Sequence, residues 1–277
     1  MNARKLRLFV NLGLIVIALA LAAVVYFDPF QGDATDGRLT TLDPTAVRKV
    51  VIEFPDRPRI ELERSDTGWL ITDPVRIEAG PARIMQVLAL VHEIGRAAYP
   101  VAEVDLEQAG LAPPEARIRF DDLAIELGRI NPLNQNRYAR IGDTVHLISS
   151  SRAGFVSADL AAYVSPRLLP QGADIRVLRL PDLVLHRNDD GNWQTEPALD
   201  ENARRELLES WEGAMATSAQ PLSGPAEGET VEIELGSGET LRFVVLAREP
   251  DVILARPDAG IRYNLPGVFR DGLFPAP

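Results

Sequence analysis

The stretch RIELERSDTGWLITDP at residues 59–74 returns as LVLHRNDDGNWQTEP at residues 183–197. In each version alternating apolar residues (Ile60 and Leu62; Leu183 and Leu185) lead into an Asp/Gly turn, a Trp follows the Gly directly or one residue on, and a Pro closes the second strand. Alternation of period two marks a strand with one buried face, and Gly68 supplies the positive φ that a tight hairpin turn needs. Trp69 and Trp193 are matched structural anchors 124 positions apart. Self-similarity at that distance means a duplicated subdomain, because solenoid units run about 20–50 residues.

Working outward, the first copy opens on the strand VRKVVIEF from Val47, and a helix starting near Pro81 follows its hairpin. Ile84, Val87, Leu88, Val91 and Ile94 share one face of that helix, which then covers the sheet around Trp69. A short helix near Leu106 is expected to stop at Gly110, and Pro113 and Pro114 force an extended exit. Strand pairs follow around Asp121-Asp122 and Gly142-Asp143. The second copy repeats this order. Asp200 caps a helix with Ala203, Leu207, Leu208, Trp211, Ala214 and Met215 on one face, making Trp211 a third anchor. The segment ILAR ending at Arg256 answers YARI at Tyr138–Ile141. The expected class is α+β, with residues 47–170 and 171–277 as two similar subdomains of antiparallel hairpins, each with a packed amphipathic helix.

Ahead of both copies, Arg4, Lys5 and Arg7 (in residues 1–7) precede the apolar run LFVNLGLIVIALALAAVVYF at residues 8–27. Twenty residues at about 1.5 Å each span about 30 Å, the hydrocarbon thickness of a bilayer. The run is a spanning helix or a signal peptide; it continues past the Ala20-x-Ala22 pattern to Tyr26 and Phe27, which favours an uncleaved anchor. Basic residues before the span and Asp28, Asp33 and Asp36 after it place the N-terminus in the cytoplasm and export the rest, with residues 28–46 as a tether. The expected address is the bacterial inner membrane, single-pass, with the lipid bilayer as one partner.

The 277 residues carry a net charge of −11, and their basic groups are almost all Arg scattered among carboxylates. Nucleic acid is not an expected partner, since phosphate binding needs a clustered basic face. With no cysteine and three histidines far apart, disulfides, thiolate chemistry and a locally spaced zinc site are excluded, and no cofactor is expected.

Catalytic patterns are weak. Ser149–Ser151 follow His146, but no G-x-S-x-G elbow is present. Asp121-Asp122 and Asp189-Asp190 lie in hairpin turns, where Asp bonds the local backbone. Gly236-Ser237-Gly238 has no following Gly-Lys-Ser/Thr. No enzyme is expected. The one informative difference between the copies is NPLNQNRYAR: Asn131, Asn134, Gln135, Asn136 and Arg137, followed by Tyr138 and Arg140, offer amides, cations and a phenol suited to hydrogen-bonded recognition, where the second copy has Glu249, Pro250 and Asp251.

Trp69 with Pro74, Gly110-Leu111 with Pro113-Pro114, Tyr138–Arg140 and Val145–Ile148 together resemble the DUF4340 family of exported, single-anchor proteins. The likeness is clear over residues 47–169 and fainter in the second copy, and this chain is poorer in lysine than the family pattern. The resemblance implies an auxiliary membrane component of an ABC-2 type transporter of the gliding-motility kind, with a permease complex as partner. The expected function is therefore a membrane-anchored accessory or scaffold protein. The alternative is a periplasmic module that binds a cell-envelope glycan or polymer.

Overall fold

A computed structural model describes residues 38–156, 159–188 and 190–275. The apolar run at 8–27, residues 1–7 expected in the cytoplasm, most of the expected tether and Asp189 lie outside the described residues. Among the described residues no helix is long and apolar enough to cross a membrane.

From Leu39 onward the chain forms one unit made mostly of two antiparallel sheets. The first is built from β1 (Lys49–Phe54), β2 (Arg57–Ser65), β3 (Gly68–Asp73), β4 (Ile77–Glu78), then α1 (Pro81–Leu88), β5 (Ala97–Pro100), β6 (Ala116–Phe120), β7 (Leu123–Ile130), β8 (Asn136–Ile141) and β9 (Thr144–Ser149). After the short α2 (Ser150–Ala153) the second sheet follows: β10 (Ile175–Leu180), β11 (Leu183–Arg187), β12 (Trp193–Glu196), α3 (Glu201–Gly213), β13 (Ser218–Pro221), β14 (Glu229–Leu235), β15 (Thr240–Ala247), β16 (Val252–Arg256), β17 (Ile261–Leu265) and α4 (Arg270–Leu273). Strand order is β4-β3-β2-β1-β6-β7-β8-β9-β5 in one sheet and β12-β11-β10-β14-β15-β16-β17-β13 in the other. The two orders superpose strand for strand, β4 alone lacking a counterpart. In both, the chain leaves one edge, passes through a helix and returns at the opposite edge.

The period-two patterns explain which faces are inside. β6, ARIRF, buries Ala116, Ile118 and Phe120 and exposes its two arginines. One continuous core takes Ile52, Ile118 and Ile125 from the first sheet and Leu178, Ile233 and Leu254 from the second, roofed by Ile84, Val87 and Leu88 of α1 and Leu207 and Trp211 of α3. The hairpin anchors correspond in register: Trp69 lies opposite Arg64, and Trp193 opposite Arg187. Trp69 is buried, with the Arg64 guanidinium 4.9 Å from its ring centroid, whereas Trp193 is only partly buried. The deep anchor of the second repeat is Trp211. Its indole Nε1 donates to the Leu273 carbonyl at 3.1 Å, and Phe243 and Phe274 flank its ring.

Several expectations are corrected. α1 ends at Leu88 and tightens into a 3-10 turn over Ala89–His92, so the 3.6-residue stripe fails and Ile94 is 60% exposed. α3 ends at Gly213 and Ala214 is extended, so Met215 leaves the helical face and bridges Arg167. Around Leu106 the chain makes a single capped turn instead of a helix: Asp105 Oδ1 accepts from the Glu107 and Gln108 amides, and Gly110 closes it at φ +67°. YARI and ILAR do lie on matching strands, β8 and β16, but out of register. Arg140 shares its face with Tyr138, away from the main core, whereas Arg256 is buried on the core face over Phe243. A one-residue slip in a strand reverses every side chain. β17, between Pro257 and Pro266, was not expected at all.

Trp211→Ala should destabilise the protein by about 3–5 kcal/mol, the usual range for emptying a buried tryptophan site. Trp193→Ala, at a partly exposed site, should cost under about 2 kcal/mol. Urea denaturation of the two variants side by side checks the order.

Candidate functional site

The two places where the first repeat departs from the second come together in space. Between β5 and β6 the chain runs through residues 101–115, where the second repeat has only 222–228 between β13 and β14. Between β7 and β8 lies the loop 131–135. With β5 and the outer face of β8 and β9, these segments wall a cleft of about 710 Å³, into which Tyr99, Gln108, Arg129, Leu133 and Tyr138 project.

Each wall is held from below. Residues 101–115 pack Ala109 and Leu111 on Val145, with Val101, Val104, Leu106 and Tyr138 around them, forming a second small core on the outer face of the sheet. Backbone bonds fix its ends: the Val101 amide donates to Asp143 O at 2.9 Å and the Arg129 amide to Ala109 O at 2.7 Å. Contact at the second point is so close that a Cβ on Gly128 would lie 2.2 Å from Ala109 O. Gly128 is required there by lack of space.

The loop is braced by its own amides. Asn131 Oδ1 accepts from the Leu133 amide at 2.9 Å, Asn134 Oδ1 from the Asn136 amide at 3.0 Å, and Gln135 Nε2 donates to Pro132 O at 3.2 Å. Asn131 Nδ2 donates to Tyr138 Oη at 2.9 Å, and the main chain closes through Asn131 N to Asn136 O at 2.7 Å. The residue left outermost is Leu133, 93% exposed, beside the half-exposed Ile130 and Tyr99.

Of the residues singled out from sequence, Asn131, Asn134 and Tyr138 line the cleft, and Gln135 and Asn136 support its loop. Arg137 and Arg140 do not line it. Arg137 donates to Gly128 O at 2.7 Å and Glu115 Oε2 at 3.0 Å, latching residue 115 to the strand; burial pushes its guanidinium below the usual arginine range, and Glu115 opposes that shift. Arg140 turns to Gly142 O and Glu126. Missed from sequence were Tyr99 on β5, Ile130 at the end of β7 and Leu133, the last signalled only by an apolar residue in a polar loop.

The weak catalytic patterns are used structurally. Ser149 and Ser151 bond to each other at 2.8 Å, and Asp121 accepts from the Arg48 and Lys49 amides. Among the described residues no group of three or more His, Asp or Glu side chains is placed to hold a metal. No protein-family model matches the chain, and neither a curated protein nor a solved structure matches it.

Gly128→Ala must push residues 101–115 off β7, with an expected loss of about 1–3 kcal/mol for overpacking; limited proteolysis should then cut that segment first. His146 on β9 gives a pH test. Burial lowers its pKa from the ordinary 6.5, so below that value the unfolded chain takes up a proton that the folded one resists. Stability should fall as pH drops below about 6.5, and His146→Gln should flatten that slope in denaturation midpoints measured from pH 7.5 to 5.

Proposed function

We propose that this chain is a non-enzymatic, membrane-anchored accessory protein: residues 8–27 hold it in the bacterial inner membrane, and the exported unit docks a membrane-protein partner through the 101–115/131–135 cleft. The observation that carries this reading is the convergence of both repeat-breaking segments on one rigid concavity rimmed by exposed Leu133, Ile130 and Tyr99. A loop braced in advance loses little freedom on binding, and apolar and aromatic anchors dominate protein interfaces. A glycan would need the amides of Asn131, Asn134 and Gln135 free to recognise hydroxyls, and the loop already engages both ends of Asn131, the Oδ1 of Asn134 and the Nε2 of Gln135. That favours a protein over the glycan alternative. The identity of the partner as an ABC-2 type permease complex rests on the resemblance to the DUF4340 family.

Leu133→Asp combined with Ile130→Asp should lower recovery of the partner from mild detergent by ten-fold or more, the effect of losing about 1–3 kcal/mol of anchor contacts. The melting temperature should stay put, because both side chains are exposed. Wild-type protein that recovers no membrane protein would refute the docking reading.

A further inference from the structure

Seven large hydrophobic side chains are well exposed among the described residues, and five line just two concavities, both in the first repeat. Three belong to the cleft above. Met85 (66% exposed) and Ile94 (60% exposed) belong to a separate groove of about 650 Å³, floored by Trp69, Ile84 and Leu88. Clustered exposure of this kind marks a binding surface, whereas scattered exposure needs no explanation.

The other wall of this groove is the leading segment of the unit, at Pro44 and Thr45. That segment is fixed to the end of α1: the Leu39 amide donates to Glu93 O at 2.8 Å and Thr40 Oγ1 to Val91 O at 2.9 Å. Ten residues, 28–37, separate the apolar run at 8–27 from the first described residue. Fully extended they reach at most about 35 Å. A groove beside the leading segment is therefore tethered close to whatever holds residues 8–27.

The chemistry of the walls narrows the occupant. The floor is apolar, and Met85 is an unbranched, adaptable side chain suited to flexible hydrocarbon. Arg64 lines the groove with its guanidinium over Trp69, its bonds going to the Val47 and Pro44 carbonyls, and His92 and Glu93 line the wall beyond the end of α1. A cation beside a hydrocarbon slot suits an amphiphile with a phosphate at one end.

We infer that the Trp69–Met85–Ile94 groove takes one acyl chain of a bilayer phospholipid, with the phosphate toward Arg64, and so seats the exported unit against the membrane. This rests on the reading of residues 8–27 as a bilayer anchor and is independent of the Leu133 cleft.

The test reconstitutes the full chain in nanodiscs of phosphatidylcholine and phosphatidylglycerol containing a phospholipid with a photoreactive diazirine in its acyl chain, and maps adducts by mass spectrometry. Adducts are expected in residues 81–96 as well as in 8–27. Met85→Asp with Ile94→Asp should reduce labelling of 81–96 about ten-fold or more, the consequence of replacing apolar contact by charge, at unchanged melting temperature, while Leu133→Asp leaves it intact. Labelling of 8–27 with none in 81–96 would overturn the inference and leave the anchor standing. Labelling absent from both would overturn the two together. Groove labelling that persists in the double variant would show adventitious reaction and overturn it as well.

Discussion

Each sheet depends on a long-range pairing: the first strand of a repeat must accept, beside its hairpin partner, a strand that arrives much later in the chain. β1 receives β6 with Val50 opposite Phe120, and β10 receives β14 with Leu178 opposite Ile233. Everything in between is looped out, and the loop-closure cost rises only slowly with length. Asp121, at φ 51°, locks the end of the first pairing by accepting from the Arg48 and Lys49 amides. Once those pairings form, the intervening hairpin, helix and edge strand have only one inner face on which to pack.

That constraint explains why the two repeats can differ without disturbing the core. Length added between β5 and β6, or between β7 and β8, falls at strand ends on the outer side of the sheet and leaves every inward residue in place. The first repeat uses both positions, and because β7 and β9 flank β8, the added segments meet. The second repeat brings Trp211, Phe243 and Tyr263 to the shared core, as the first brings Trp69, Phe120 and Tyr163. Both copies share one core, and the first alone lines the two apolar concavities.

The repeated Trp hairpin was legible in the sequence because both of its signals are local: alternation of apolar residues and a Gly at the turn. The helix cap at Asp200 was legible for the same reason, and its carboxylate accepts from the Ala203 amide at 2.9 Å. What was not legible depends on distant parts of the chain. Ile94 and Met215 fit a helical stripe that had already ended, because nothing local shows a tightening turn. β17 pairs with β13 and β16, so its flanking prolines misled a local reading. The candidate loop was found, but its amides were taken as the recognising groups. The structure shows Asn131, and one end each of Asn134 and Gln135, bracing the loop, with Leu133 exposed at its tip.

Outside the two concavities, the sheet surfaces are closed by ion pairs. Arg117 lies directly opposite Glu126 across β6 and β7, and in the corresponding strands β14 and β15 the charges are exchanged, with Glu232 opposite Arg242. Lys49 pairs with Glu61, Arg179 with Glu234 and Arg59 with Asp73. Such pairs add little stability in water. They match charge locally on the sheet faces, while the excess of carboxylates leaves a net charge of −11 that keeps copies of the chain apart. The exposed hydrocarbon, by contrast, is gathered at two places. Those places are the Leu133 rim and the Met85–Ile94 groove, and the first is built by the two segments that lengthen the first repeat.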